Sequence, residues 1–213
     1  MKENKFYKIM RNIAVFLFKI IYKPTIINKE AIPNNGKMLL VSNHLNKLDG
    51  ILLISATKRQ IFFIAKKELI DSPFGFIFKK LGLIPVDRKT KNNHEALNVA
   101  RETLNKEQLI QIFPEGTINR TENIVLPFKM GAVKLAHDTD CSILPFTITG
   151  KYKIFKKSIT ITFDKPYKLT SSDLEKERQI LEDKITNLLI TTRRDIWNFQ
   201  ILLQTLQNLM LHG

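Results

Sequence analysis

The chain has 213 residues, 44% of them hydrophobic, a formal charge of +14 and a pI near 9.8. That length supports one substantial core and rather little for a second, and the charge directs the surface toward nucleic acid or an anionic bilayer. The single cysteine, Cys141, excludes an internal disulfide and fits a reducing compartment, and no uninterrupted apolar run reaches the roughly 18 residues of a plain spanning helix.

No cleavable signal peptide, internal repeat or low-complexity linker is evident. The charge is lopsided: from Ser171 onward the chain sums to −1, so the preceding four-fifths carries roughly +15. In chain order, Lys2 to Lys23 predicts a helix closed by Pro24. At about 100° per residue, Lys5, Lys8, Arg11, Lys19 and Lys23 share an arc of roughly 120°. Phe6, Ile9, Ile13, Phe16, Leu17 and Ile20 fill the opposite side. Such a cationic, bulky-apolar helix suits an anionic bilayer interface; the alternative is a helix packed on its own domain.

KMLLVSN then reads as a short buried strand, GILLISATK as a helix and IFFIA as a strand. KKELIDSPFGFIFKKLG is a helical stretch interrupted near Pro73, and LIPV another strand. HEALNVARETLNK places Leu97, Ala100 and Leu104 on one helical face. QLIQIF is a strand, PFKMGAVKLAHDT a helix and SILPFTIT a strand. SITITF alternates as a half-exposed strand should. Ser171 or Ser172 is expected to cap a long helix beginning DLEKERQILEDKI, continued by an apolar-rich tail after Arg194. The pattern predicts one α/β domain with a largely parallel mixed sheet flanked by helices. The expected division is 1–24 as an amphipathic membrane-associating helix, 25–170 as the α/β domain and 171–213 as a C-terminal helical segment.

Four stretches follow strands, where sites assemble in such sheets. In VSNHLNKLD, His44 stands at a strand end and Asp49 five residues on. Two readings are open: an acid-base histidine whose tautomer the carboxylate fixes, or a junction histidine beside a helix-capping aspartate. No nucleophile elbow accompanies them, so the chemistry of the first reading is direct proton removal from a substrate hydroxyl. In IFPEGTINR, Gly116 allows a tight turn with exposed N–H groups, Thr117 adds a hydroxyl, and Arg120 offers a fork to a phosphate. Glu115 is suited to a polyol hydroxyl or to orienting a basic neighbour, and the bland reading is a surface turn. In GLIPVDR, Arg88 sits beside Asp87, and in AKKEL, Lys66 follows a strand. ILPFTITG is a proline-kinked strand that lines or supports a pocket. His94, His137 and His212 stand in no metal-ligand spacing, and no metal is expected.

NHLNKLD, GLIPVDR, FPEGTINR and LPFTITG, in this order over about Lys37 to Gly150, resemble the four motif blocks of the glycerolipid acyltransferases, the 1-acyl-sn-glycerol-3-phosphate acyltransferases. The resemblance implies acyl transfer from an acyl-CoA or acyl carrier protein thioester to the 2-hydroxyl of lysophosphatidic acid. The product is phosphatidic acid, with no cofactor beyond the thioester and no acyl-enzyme. It implies a monotopic or peripheral enzyme on the cytoplasmic face of an anionic membrane surface. His44 and Asp49 match the family's catalytic pair. Arg88, Glu115, Gly116, Thr117 and Arg120 match its acceptor-binding blocks, and Lys66 a basic position near the acceptor phosphate. The chain departs from the pattern at Asn46, where the family often has Ser, and at Ile118, where it often has Arg. Two other readings stand beside this one. The first is the same chemistry on another lysolipid or glycerol-phosphate acceptor. The second is a basic, non-catalytic membrane- or nucleic-acid-binding protein. Nucleic acid is disfavoured because the Phe-rich stretches look buried or lipid-facing rather than interleaved for base stacking.

Overall fold

A computed structural model describes residues 5–73, 75–86 and 94–212. Seven strands form one sheet: β1 (Thr25–Ile27), β2 (Met38–Val41), β3 (Ile61–Lys66), β4 (Leu83–Val86), β5 (Leu109–Ile112), β6 (Ile143–Gly150) and β7 (Ile159–Phe163). Their order is β1-β7-β6-β2-β5-β3-β4, and every neighbouring pair is parallel except β6 with β7. The helices are α1 (Lys5–Tyr22), α2 (Asp49–Ile54), α3 (Lys67–Ile70), α4 (Gly75–Lys80), α5 (His94–Asn105), α6 (Gly131–Thr139) and α7 (Leu174–His212).

Alternation along the strands sends side chains to two cores. On one face Leu39, Val41, Ile110 and Ile143 meet Ala100 and Leu104 of α5, Val133 of α6 and Leu181, Ile185 and Leu189 of α7. On the other, Leu40, Leu144, Phe146 and Ile161 meet Phe18 of α1 and Leu52 and Leu53 of α2. The sheet is therefore covered on both sides, which is why its central strands read as unbroken apolar runs. Cys141 is buried in the first core, and burial pushes its thiol above the usual range.

Several local expectations change. β7 is mostly buried rather than half-exposed, because it is an interior strand between β6 and β1. α6 begins at Gly131, four residues later than its apolar pattern suggests. Upstream of it, the N–H groups of Phe128 and Lys129 donate to the Glu182 carboxylate and the Pro114 carbonyl. Neither Ser171 nor Ser172 caps α7. Asp173 does, its Oδ1 accepting from the N–H groups of Glu175 and Lys176 at 3.1 Å each.

α1 packs on the domain along a narrow stripe of Tyr7, Val15 and Phe18, at helical spacing. Arg11 is not presented to lipid: its guanidinium donates to the carbonyls of Ile54 and Thr57, just past the C-terminal end of α2. The rest of the apolar side stays uncovered, with Ile9, Ile13, Phe16, Leu17 and Ile20 between 47 and 65% exposed. Among the described residues no helix is long and apolar enough to cross a membrane.

Candidate active site

Because β2, β3, β5 and β6 run parallel in adjacent positions, their C-terminal ends meet at one edge of the sheet. β2 delivers His44 there, β5 delivers the FPEGT turn, and β6 runs on to Tyr152. Lys66 is the last residue of β3 rather than the first beyond it, and is exposed at the same edge.

β2 ends at Val41, and the buried Asn43 extends its pairing by other means. Asn43 Nδ2 donates to the Ile148 carbonyl at 3.0 Å, and its Oδ1 accepts from the Ile148 N–H at 2.9 Å. An amide side chain thus occupies the place of a strand residue where β6 turns from β2 toward β7. The register explains the need: β6 pairs with β2 only through Pro145, and with β7 from Phe146 onward.

Asp49 is the first residue of α2, and it is fully buried. His44 Nδ1 lies 2.8 Å from Asp49 Oδ2. The same oxygen accepts the N–H groups of Leu45 at 2.7 Å and Asn46 at 2.8 Å. Oδ1 accepts the Tyr152 hydroxyl at 2.7 Å. Among the described residues the carboxylate is thereby compensated without an ion pair to Lys or Arg, and it folds the 44–46 segment around itself. A carboxylate on Nδ1 makes that nitrogen the donor and leaves Nε2 as the proton acceptor. Among the described residues Nε2 carries no hydrogen bond. The ring stacks on Phe113, 3.8 Å between centroids and 6° from parallel, which fixes its plane. Asn46, where the resembled family often has Ser, accepts the Leu48 N–H at 3.1 Å and shapes the turn into α2.

Glu115 is turned inward, 3% exposed. Its Oε1 accepts the His44 N–H at 2.8 Å and its Oε2 the Leu126 N–H at 2.9 Å. Burial holds its carboxyl above the usual range, partly offset by these two N–H donors. Of the two roles expected for Glu115, a contact to a polyol hydroxyl and the orienting of a basic neighbour, the geometry shows a clamp on the backbone that carries His44. Asn119 completes the clamp, donating its N–H to the His44 carbonyl at 2.8 Å. Both backbone groups of His44 are thus held by FPEGTIN. Gly116 turns with φ +70°, which a side chain rarely adopts. Thr117 and Arg120 follow it, both exposed. Arg88 lies outside the described residues.

Two functional candidates escaped the sequence reading. Tyr152 lies far from His44 in sequence, and no motif spacing points to it. Burial and the Asp49 charge hold its phenol protonated, far above the ordinary tyrosine range. Lys129 folds over the EGT turn, so close that a Cβ on Gly116 would come within 2.7 Å of Nζ. An exposed cation thus stands at the turn although Ile118 replaces an arginine; its signal was the PFKMGA stretch.

The acyltransferase family model matches residues 23–149, which span His44, Asp49, Lys66 and the FPEGT turn. Over 154 residues the chain is 33% identical to a probable 1-acyl-sn-glycerol-3-phosphate acyltransferase of Mycoplasma pneumoniae, covering 70% of this chain and 57% of that protein. Over 124 residues it is 36% identical to the 1-acyl-sn-glycerol-3-phosphate acyltransferase of Helicobacter pylori, covering 57% and 52%. The Streptococcus pneumoniae enzyme of that name is 30% identical, over 82% of this chain and 66% of that one. The matches thus span between about half and two thirds of these relatives. The crystal structure of the 1-acyl-sn-glycerophosphate acyltransferase from Thermotoga maritima superposes with a TM-score of 0.68 at 21% identity, covering 91% of this chain and 84% of that one, and shares the fold.

Proposed function

Because the chain belongs to the acyltransferase family, we propose that it moves a fatty acyl group from a thioester to the 2-hydroxyl of 1-acylglycerol 3-phosphate, giving phosphatidic acid. The observation that carries this reading is the His44 Nδ1 to Asp49 Oδ2 contact of 2.8 Å at the C-terminal edge of the sheet, which leaves Nε2 without a hydrogen bond among the described residues. Nε2 takes the proton of the acceptor hydroxyl as its oxygen attacks the thioester carbonyl. Asp49 stabilises the imidazolium that forms. The tetrahedral intermediate collapses, the C–S bond breaks, and the thiolate leaves with the proton that His44 returns. The acyl group passes directly to the lipid, with no acyl-enzyme. Leu45 and Asn46 N–H groups are committed to Asp49, so they are not the donors to the developing oxyanion.

The acceptor phosphate falls to cations at the same edge. Lys66 and Arg120 are exposed there, Lys129 stands over Gly116, and Arg88 matches the family block that follows β4. α1 brings the enzyme to its lipid substrates by laying its uncovered apolar side on an anionic bilayer at the cytoplasmic face. The thioester is an acyl-CoA or an acyl carrier protein adduct.

The test is an assay with lysophosphatidic acid and each thioester in turn. Removing a general base typically lowers turnover by a hundredfold to ten-thousandfold. His44→Ala is therefore expected to lose transfer while its sedimentation with vesicles is unchanged. Transfer at the wild-type rate in that variant would sink the mechanism.

A further inference from the structure

The β6–β7 connection, KYKIFKKS from Lys151 to Ser158, holds four lysines and no acidic residue. Its apex is an Ile-Phe pair. Ile154 is 61% exposed and Phe155 64%. Phe155 also sits in the left-handed region, φ 58°, where a bulky side chain is strained. Its N–H donates to the Ile21 carbonyl at 2.5 Å, in the last turn of α1. The fold thus holds an aromatic side chain in an unfavourable backbone conformation and in solvent, where it gains little packing. Strain held by one backbone hydrogen bond, with the side chain left in solvent, points to a task.

The tip is fastened to α1 a second time. The Tyr152 ring meets Tyr22 edge-on at 5.6 Å and Phe18 at 6.3 Å. The exposed Leu17 and Ile20 of α1 lie within about one helical turn of Ile21, the residue to which the tip is fastened. Around it stand Lys151, Lys153, Lys156, Lys157, Lys19 and Lys23, all exposed. Neither Lys5–Lys23 nor Lys151–Ser158 contains an Asp or Glu. An apolar point collared by cations alone is complementary to a bilayer with anionic headgroups and an apolar interior.

We propose that Lys151–Ser158 is a second bilayer-seating element, which inserts Ile154 and Phe155 beside α1 while its lysines bind anionic headgroups. The proposal rests on the reading of α1 as an interfacial helix. It also places the active-site edge at the membrane, since Tyr152 of the same segment is hydrogen-bonded to Asp49.

The test uses the full chain and vesicles of phosphatidylcholine with and without phosphatidylglycerol. Trp197 is the sole tryptophan, so Trp197→Phe/Phe155→Trp places a lone indole at the tip. Brominated acyl chains are expected to quench it on anionic vesicles. Phe155→Gly is expected to weaken partitioning roughly tenfold or more while the thermal midpoint holds or rises, because glycine relieves the left-handed strain. An unquenched indole on vesicle-bound protein, with Phe16→Asp abolishing binding, overturns the tip and keeps α1. A quenched indole with Phe16→Asp binding normally keeps the tip and overturns α1. A wild-type chain that ignores anionic vesicles, or a tip that instead protects itself against an acidic protein, overturns the proposal.

Discussion

Four donors converge on Asp49: the His44 ring, the N–H groups of Leu45 and Asn46, and the Tyr152 hydroxyl. Three share Oδ2, so the Tyr152 bond on Oδ1 is the one that fixes the carboxylate's rotation. Tyr152→Phe keeps the ring contacts with Phe18 and Tyr22 and removes only the hydroxyl. One charge-assisted hydrogen bond contributes about 1.5–3 kcal/mol. On the proposed mechanism kcat should fall roughly tenfold to a hundredfold with KM little changed, and the acid limb of the pH–rate profile should move. A variant that changes KM alone would make Tyr152 merely structural. His44 and Asp49 were legible at this scale because their spacing is local. Tyr152 was not, since it arrives from the far end of another strand. For Glu115 the sequence left two roles open, a ligand hydroxyl or a basic neighbour, because a carboxylate facing a ligand and one clamping a backbone look alike in sequence.

The His44 loop depends on how β2 and β6 part. Asn43 supplies the donor and acceptor that Ile148 loses there. Asn43→Ala leaves both backbone groups of Ile148 buried and unpaired, at roughly 1–3 kcal/mol each. Chemical denaturation should show a loss of about 2–6 kcal/mol, and activity should fall with it. An unchanged midpoint would mean that the strands re-pair without the side chain. The same competition for backbone groups explains the helix cap that was misjudged. The cap of α7 is set by which side chain reaches its first-turn N–H groups, and that is Asp173 rather than Ser171 or Ser172. Hydrophobic periodicity does not encode that choice.

Across the molecule, the basic charge precedes α7 and the exposed apolar residues of α1 and the β6–β7 tip share that basic region. Attraction to anionic headgroups is screened with a Debye length of about 10 Å at 0.1 M salt. Vesicle binding should therefore weaken steeply between low and high salt, while turnover of a monomeric short-chain acceptor changes much less. Equal salt sensitivity of the two would place the charge at the acceptor site rather than at the membrane. Strand and helix alternation, the charge asymmetry and the HLNKLD and FPEGT motifs were readable from the chain by itself. They are written in local spacing, and spacing within a few residues survives in any fold that keeps the elements. What only the tertiary structure decided is which distant groups share one edge of the sheet. Asp49 with Tyr152, Glu115 with the His44 backbone, Lys129 with Gly116 and Phe155 with Ile21 are contacts between residues 13 to 134 positions apart. The first two exist because parallel pairing brings the ends of β2, β5 and β6 together, the third because the connection after β5 folds back on itself, and the fourth because the β6–β7 tip meets the end of α1.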